Sequence, residues 1–345
     1  MNLTRAGRYA EARAVLDGVA EPSEINSRIA FHRLKAAVAS GLNEGAAAAT
    51  EMRAALELAP GDAGLLLATA AAELQAGRFD DALGHARQAG NTGVAQELIG
   101  DIEEKRGQFV DAAKAYQAAI VLAPDREQYR IALALELVQH QTFALAIAVL
   151  EQAAPLFPKS AKIRTLLGIA RYAADDIPAA IAALSDAIAI DPKLEPAYVY
   201  LSRIVLDSSA APPRQAVDSL CGWDAIVCSA LRLRIAHERA DAGLEKEAVA
   251  GLKRAPADNA IGHCELGRAY EWESQWTNAR EEMEACVRLD PSPQNRLRLG
   301  RIYSHLGLSE LARREVEKYK AALQNMSEES ARRLSVIQGF QYTLK

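Results

Sequence analysis

The chain has 345 residues, a net charge of −5 and few aromatic side chains. That charge gives no bulk attraction to nucleic acid or to an anionic membrane. The longest apolar runs, such as residues 63–72, reach about half of the ~20 residues a membrane helix needs, so the chain reads as soluble, without membrane insertion. Scarce aromatics and abundant alanine suit helices that approach closely through small side chains, which makes the class all-α. A single core of this length would be unusually large, whereas a stack of repeated units grows by adding neighbours.

In chain order, residues 1–20 read as an N-terminal half repeat or cap. Gly7, Tyr9 and Ala12 match the second half of a helical hairpin whose first helix is missing, and Glu21-Pro22-Ser23 makes the following turn. The charges at Arg5, Arg8, Glu11 and Arg13 leave no apolar run for a secretion signal. If the chain is a piece of a longer protein, a signal or anchor would be missing with the rest. Residues 21–207 read as an array of hairpins whose clearest part starts at Gln96. Pro124, Pro158 and Pro192 stand 34 residues apart, and Ala112, Ala146 and Ala180 keep the same step. In each block, apolar and small residues recur at helical spacing, break at a turn such as Gly107, and resume until proline ends the run. A period of that size signals a solenoid.

After Pro192 the regularity fails. The segment DSSAAPPR at 207–214 and the stop at Cys221-Gly222-Trp223-Asp224 form an irregular junction over 208–224. Pairing resumes over 225–320, with turns expected at Gly243 and Gly307, and residues 321–345, charged at Glu328, Glu329, Arg332 and Arg333, suit a terminal capping helix. From Arg296 onward there are ten Lys or Arg against five Asp or Glu, so this end is locally basic.

These residues resemble the tetratricopeptide repeat family, whose pattern is an aromatic, then Leu-Gly, then Tyr, followed by Ala, an aromatic and Pro. His263, Leu266, Gly267, Tyr270, Trp276, Ala279, Met283 and Pro291 fall at its spacings, as do Ile99, Gly100, Ala112, Tyr116 and Pro124, and Leu167, Gly168, Ala180, Leu184 and Pro192. The opening Trp is missing throughout: Gln96, Arg130, Arg164, Arg232, His263 and Arg296 stand in its place. The resemblance implies a right-handed superhelical solenoid of antiparallel helix pairs, bacterial in style, acting by protein binding. Gly or Ala at the eighth place of each first helix, and Ala in the second, then serve close packing rather than catalysis.

A search for reaction chemistry finds no phosphate loop, nucleophile elbow or dinucleotide fingerprint, and no cofactor is implied. The chain is read as a non-enzyme. The nearest candidate is His263 and Cys264 with Cys286, which an antiparallel hairpin brings to one level, as a metal site or a redox pair of thiols. Against it, Cys286 occupies a small-residue core position. Cys221 and Cys228 could close a short loop in an oxidising compartment, but free thiols in a reducing cytosol fit better. Cytoplasmic placement is favoured accordingly, with a periplasmic or secreted chain as the alternative if a signal has been removed.

By resemblance, the first helices line a concave groove. Its centre carries Leu135, Val138, Ile169 and Tyr172, apolar where a solvated face would be charged. Further on, the ninth place of each first helix reads Arg203, His237, Arg268 and Arg301, with Trp272 and His305 beside this ladder. Arginine holds a carboxylate through two parallel hydrogen bonds, and Trp supplies an apolar face, so the groove suits an acidic or C-terminal peptide of a protein partner. The Lys and Asn clamp of chaperone-binding members is not carried at Thr165, Ile169 and Val199, and that function is not implied. The alternative is a regulatory or assembly module of a larger protein. A third reading is an enzyme using His263, Cys264 and Cys286.

Overall fold

The computed structural model describes residues 2–207 and 213–337. The core of the expected junction (208–212) and the last residues of the expected cap (338–345) lie outside them, as do the side chains of Glu328, Glu329, Arg332 and Arg333. Among the described residues there are twenty helices and no strand. The chain divides into two compact units, one up to Leu145 and the other from Ala146 to Ser335.

The first unit holds α1 (Asn2–Arg5), α2 (Tyr9–Asp17), α3 (Ile25–Gly41), α4 (Gly45–Leu58), α5 (Ala63–Gln75), α6 (Phe79–Gln88), α7 (Gly93–Lys105), α8 (Phe109–Leu122), α9 (Glu127–Gln139) and the start of α10 (Phe143–Leu156). From α1 to α9 each helix packs on its sequence neighbour, as α3 does on α4 and α7 on α8, and α5 also touches α7. The second unit continues with α11 (Ala161–Ala173), α12 (Ile177–Ile190), α13 (Glu195–Asp207), α14 (Arg214–Trp223), α15 (Ala225–Arg239), α16 (Ala242–Leu252), α17 (Ala260–Trp272), α18 (Trp276–Leu289), α19 (Pro293–His305) and α20 (Ser309–Ile337). There too hairpins form between neighbours, and the first helices touch in succession: α11 with α13, α13 with α15, α15 with α17.

Three local devices make the hairpins. The turn between paired helices holds one residue in the left-handed region. Gly7, Gly77, Gly107 and Gly307 adopt it freely, and Asn43, Gln141, Asp175, Ala240 and Ser274 adopt it with a side chain. Several first helices are started by a side chain that accepts from the first turn: Asp62, Thr92, Ser160, Asp224 and Asn259. Ala48, Ala82, Ala112, Ala180 and Ala279, each five residues past its left-handed turn residue, are fully buried. They let the two helices of a hairpin approach.

Gly168 shows the tolerance of that approach. A Cβ there would stand 2.6 Å from Leu184 Cγ and 3.1 Å from the Ala180 carbonyl. At Gly267 the obstacle would be Met283, 2.6 Å away.

Three sequence expectations need correction. The turn expected at Gly243 lies at Ala240, because Asp241 caps α16 from the Leu244 N–H and draws Gly243 into the helix. The residues before Gly7 are helical, so a short helix and a turn precede α2 where the sequence pattern expected the first helix of that hairpin to be missing. From 321 to 337 the backbone continues α20 without a break.

Candidate functional site

The expected groove residues fall in both units and are described with the unit that holds them. In the first, Leu135 is half exposed and Val138 partly buried on α9. Beside them, α7 presents Glu97, Asp101 and Glu104. Burial raises the Asp101 carboxyl above its ordinary range, opposed by the hydrogen bond it accepts from Tyr116 Oη (2.7 Å), while Glu104 adds repulsion. Glu97 is raised by burial and by Asp101.

In the second unit, Ile169 is half-buried and Tyr172 packs on the main apolar cluster. Arg203 is exposed on α13. The densest polar arrangement lies on α15, α17 and α19. Arg234 reaches from α15 to grip Glu265 on α17 with both ends of its fork, Nη2 to Oε1 at 2.8 Å and Nε to Oε2 at 3.3 Å. Arg268 Nη2 lies 3.5 Å from the same carboxylate, and Arg298 on α19 approaches Glu271 at 3.2 Å. Three arginines thus meet two glutamates, and Arg301 stands near enough to Arg298 to repel it. Burial lowers the Arg298 guanidinium from its ordinary range. Glu271 and Glu265 oppose that fall, and Arg301 and Arg234 add to it by repulsion. Arg301 itself is exposed.

His237 and Trp272, both expected in the groove, are brought together. Their rings stack at 3.6 Å, nearly parallel, with His237 Nδ1 4.0 Å from Glu245. His305 is not part of that pair. It stacks on Trp276, the first residue of α18, at 3.9 Å. Phe109, which opens α8, meets His140 in the first unit with ring centroids 3.8 Å apart but tilted by 39°.

Arg234, Glu265 and Arg298 were not among the expected residues. A signal for them exists: each stands three residues before a ladder position (His237, Arg268, Arg301), which on a helix means the same edge. The ninth-place reading alone passed over it.

The metal reading of this trio is overturned by the bonding of its members. Cys264 is joined to Cys286 in a disulfide. His263 has both ring nitrogens engaged, Nδ1 with Glu282 at 2.6 Å and Nε2 with the Ala257 carbonyl at 3.1 Å. The expectation of free thiols at Cys221 and Cys228 is corrected likewise, since these two are bridged. Short separation in space decides both cases: an antiparallel hairpin aligns 264 with 286, and the tight Gly222-Trp223-Asp224 corner aligns 221 with 228.

Successive helical hairpins, with first helices in contact and charged along one edge, define a helical-repeat protein. Residues 131–195 match the model of the tetratricopeptide repeat family. No curated protein matches the sequence. Solved structures do, at low identity. The crystal structure of YrrB, described as a TPR protein with an unusual peptide-binding site, is 20% identical over 50% of this chain and 90% of its own, with a TM-score of 0.39. The C-terminal part of a TPR repeat-containing protein from Cytophaga hutchinsonii is 16% identical over 74% and 94%, with a TM-score of 0.49. The Cut9–Hcn1 hetero-tetramer of APC/C is 14% identical over 94% and 58%, with a TM-score of 0.47.

Proposed function

We propose that this chain is a protein-binding scaffold and that the first-helix face of its second unit holds an acidic segment of a partner. One observation carries the reading: Arg234, Arg268 and Arg298 meet the carboxylates of Glu265 and Glu271, and the exposed Arg301 stands close enough to Arg298 to repel it. An incoming carboxylate would relieve the repulsion that Arg298 feels from Arg301 and Arg234, and the exposed Arg301 can offer it a bidentate grip. The stacked Trp272 and His237 supply a flat surface beside this charge for an apolar or aromatic neighbour in the same segment.

The test uses short fluorescein-labelled peptides rich in Asp and Glu, with charge-reversed versions as controls, titrated with the purified chain at low and moderate salt. Acidic peptides should bind more tightly, weaken with salt, and lose about tenfold or more in affinity against an Arg268→Glu, Arg301→Glu variant that keeps its circular dichroism. Equal binding of both peptide classes, or no loss in the variant, rejects the reading.

A further inference from the structure

We propose that the native form of this chain is doubly disulfide-bridged and therefore matures in an oxidising compartment, with the Cys264–Cys286 bridge holding the α17–α18 hairpin together. All four cysteines are paired, Cys221 with Cys228 and Cys264 with Cys286. The two bridges are independent of each other: one closes the corner between α14 and α15, the other joins the two helices of a different hairpin. Compartments that hold glutathione and thioredoxin reduced keep such pairs open, whereas the cell surface, the periplasm and the secretory lumen let them close and persist. A chain exported to such a place gains from having no thiol left over, because a spare one would scramble or link to other molecules.

The setting of the second bridge fits a structural part. Cys286 is fully buried in the cluster of Met283, Leu299, Ile302 and Tyr303. Asn295 donates to Cys264 Sγ at 3.7 Å from α19. Burial on one side and a neighbouring helix on the other restrict attack by a reducing thiolate, which must reach a sulfur along the bond axis. Within this hairpin Gly267 on α17 is in close approach to α18, where a Cβ would stand 2.6 Å from Met283. A covalent tie between the two helices fixes the register on which that contact depends.

Closure is a two-step thiol–disulfide exchange with a protein disulfide oxidant. One cysteine thiolate attacks the oxidant's disulfide, forming a mixed disulfide and releasing one oxidant thiolate. The second cysteine thiolate then displaces the oxidant's other sulfur. For each bridge, two cysteine sulfurs are oxidised, the oxidant's disulfide is reduced to a dithiol, and the two cysteine protons pass to the thiolates released.

The test is a thiol count on the full chain taken from its source, quenched in acid and treated with a maleimide before and after reduction. Intact mass should show no adduct before reduction and four after it, and a non-reduced digest should link 221 to 228 and 264 to 286. Any adduct before reduction, or any other pairing, overturns the doubly bridged form. The structural part is tested by melting the chain with and without a phosphine reductant and by melting a Cys264→Ser, Cys286→Ser variant. A fall of several degrees in both is expected, and an unchanged midpoint in the reduced wild type overturns the holding role even if the variant fails to fold.

Discussion

Arg296 on α19 reaches Glu315 on α20, 3.0 Å away and 19 residues along the chain. It does so from the place where a tetratricopeptide repeat opens with tryptophan. His263 meets Glu282 and His32 meets Glu51 at the same separation, 2.6 and 2.7 Å apart. Where the second helix offers no glutamate at that separation, the opening residue turns to the end of the preceding helix instead. Arg130 donates to the Pro124 carbonyl at 2.6 Å, and Arg164 to Ala154 at 3.4 Å. A polar tie thus replaces the packing of a large ring.

Because Glu315 is nearly buried and also holds Lys318, Glu315→Ala should lower stability by about 1–3 kcal/mol, most of it from leaving Arg296 without its carboxylate. Adding Arg296→Ala should then cost less than the two single losses together. Trp223, Trp272 and Trp276 all lie in the second unit, so urea unfolding followed by tryptophan fluorescence reads this region. Strict additivity would mean the pair contributes nothing as a pair.

Close helix approach gives a second expectation. Gly168→Ala places a methyl against Leu184 and the Ala180 carbonyl, and should destabilise the second unit by about 1–3 kcal/mol. Gly300 has its nearest neighbours at 3.5 Å, ordinary contact distance. Gly300→Ala should therefore be neutral or stabilising by up to about 1 kcal/mol, as expected for alanine replacing glycine inside a helix. The same fluorescence titration compares them, and equal midpoints for the two variants would contradict the packing described.

This contrast also marks what could be read from the sequence. The hairpins, the buried alanines and the small eighth position announce themselves because backbone geometry repeats, and a repeated constraint leaves a repeated residue. Turns are legible where glycine fills the left-handed position, as at 77, 107 and 307, and illegible where Ala240 does so. Nothing in an alanine codes for that conformation; Asp241 capping the next helix selects it. The site is only partly legible for a related reason. Arg268 and Arg301 can be found by counting along one helix, but the grip of Arg234 on Glu265 is a contact between helices 31 residues apart. Cysteine pairing likewise depends on hairpin register more than on sequence spacing.

The left-handed alanine yields its own expectation. Ala240→Gly removes the steric cost of that conformation, about 1–2 kcal/mol, and adds back part of it through a freer unfolded chain. A net gain of up to about 1 kcal/mol should follow. Ala134→Gly, in the middle of α9 and fully buried, should instead lose about 1 kcal/mol or more. Thermal melts by circular dichroism separate the signs, and a loss at 240 would show that the turn does not hold this residue as described.

The last expectation concerns pH in the first unit. Glu136 is buried on α9, with its Oε1 3.5 Å from His140 Nε2. Burial pushes its carboxyl up to about 7, Glu104 adds repulsion, and Lys105 pulls the other way. An ordinary unfolded carboxyl loses its proton near pH 4.3, so between there and about 7 the folded chain holds a proton that the unfolded chain has released. Stability from this group is therefore highest on the acid side and falls as pH rises through that window, by about 3–4 kcal/mol in total. Glu97 and Asp101 are shifted in the same direction and steepen the fall. Glu136→Gln keeps the shape without the charge. It should leave stability at pH 4.5 nearly unchanged, raise it at pH 8, and flatten the profile between. Hydrogen exchange on peptides from α8 and α9 at pH 5 and 8, corrected for intrinsic rates, reads this unit without interference from the other. If wild-type protection instead grew from pH 5 to 8, Glu136 would be held as a carboxylate by a partner that outweighs its burial.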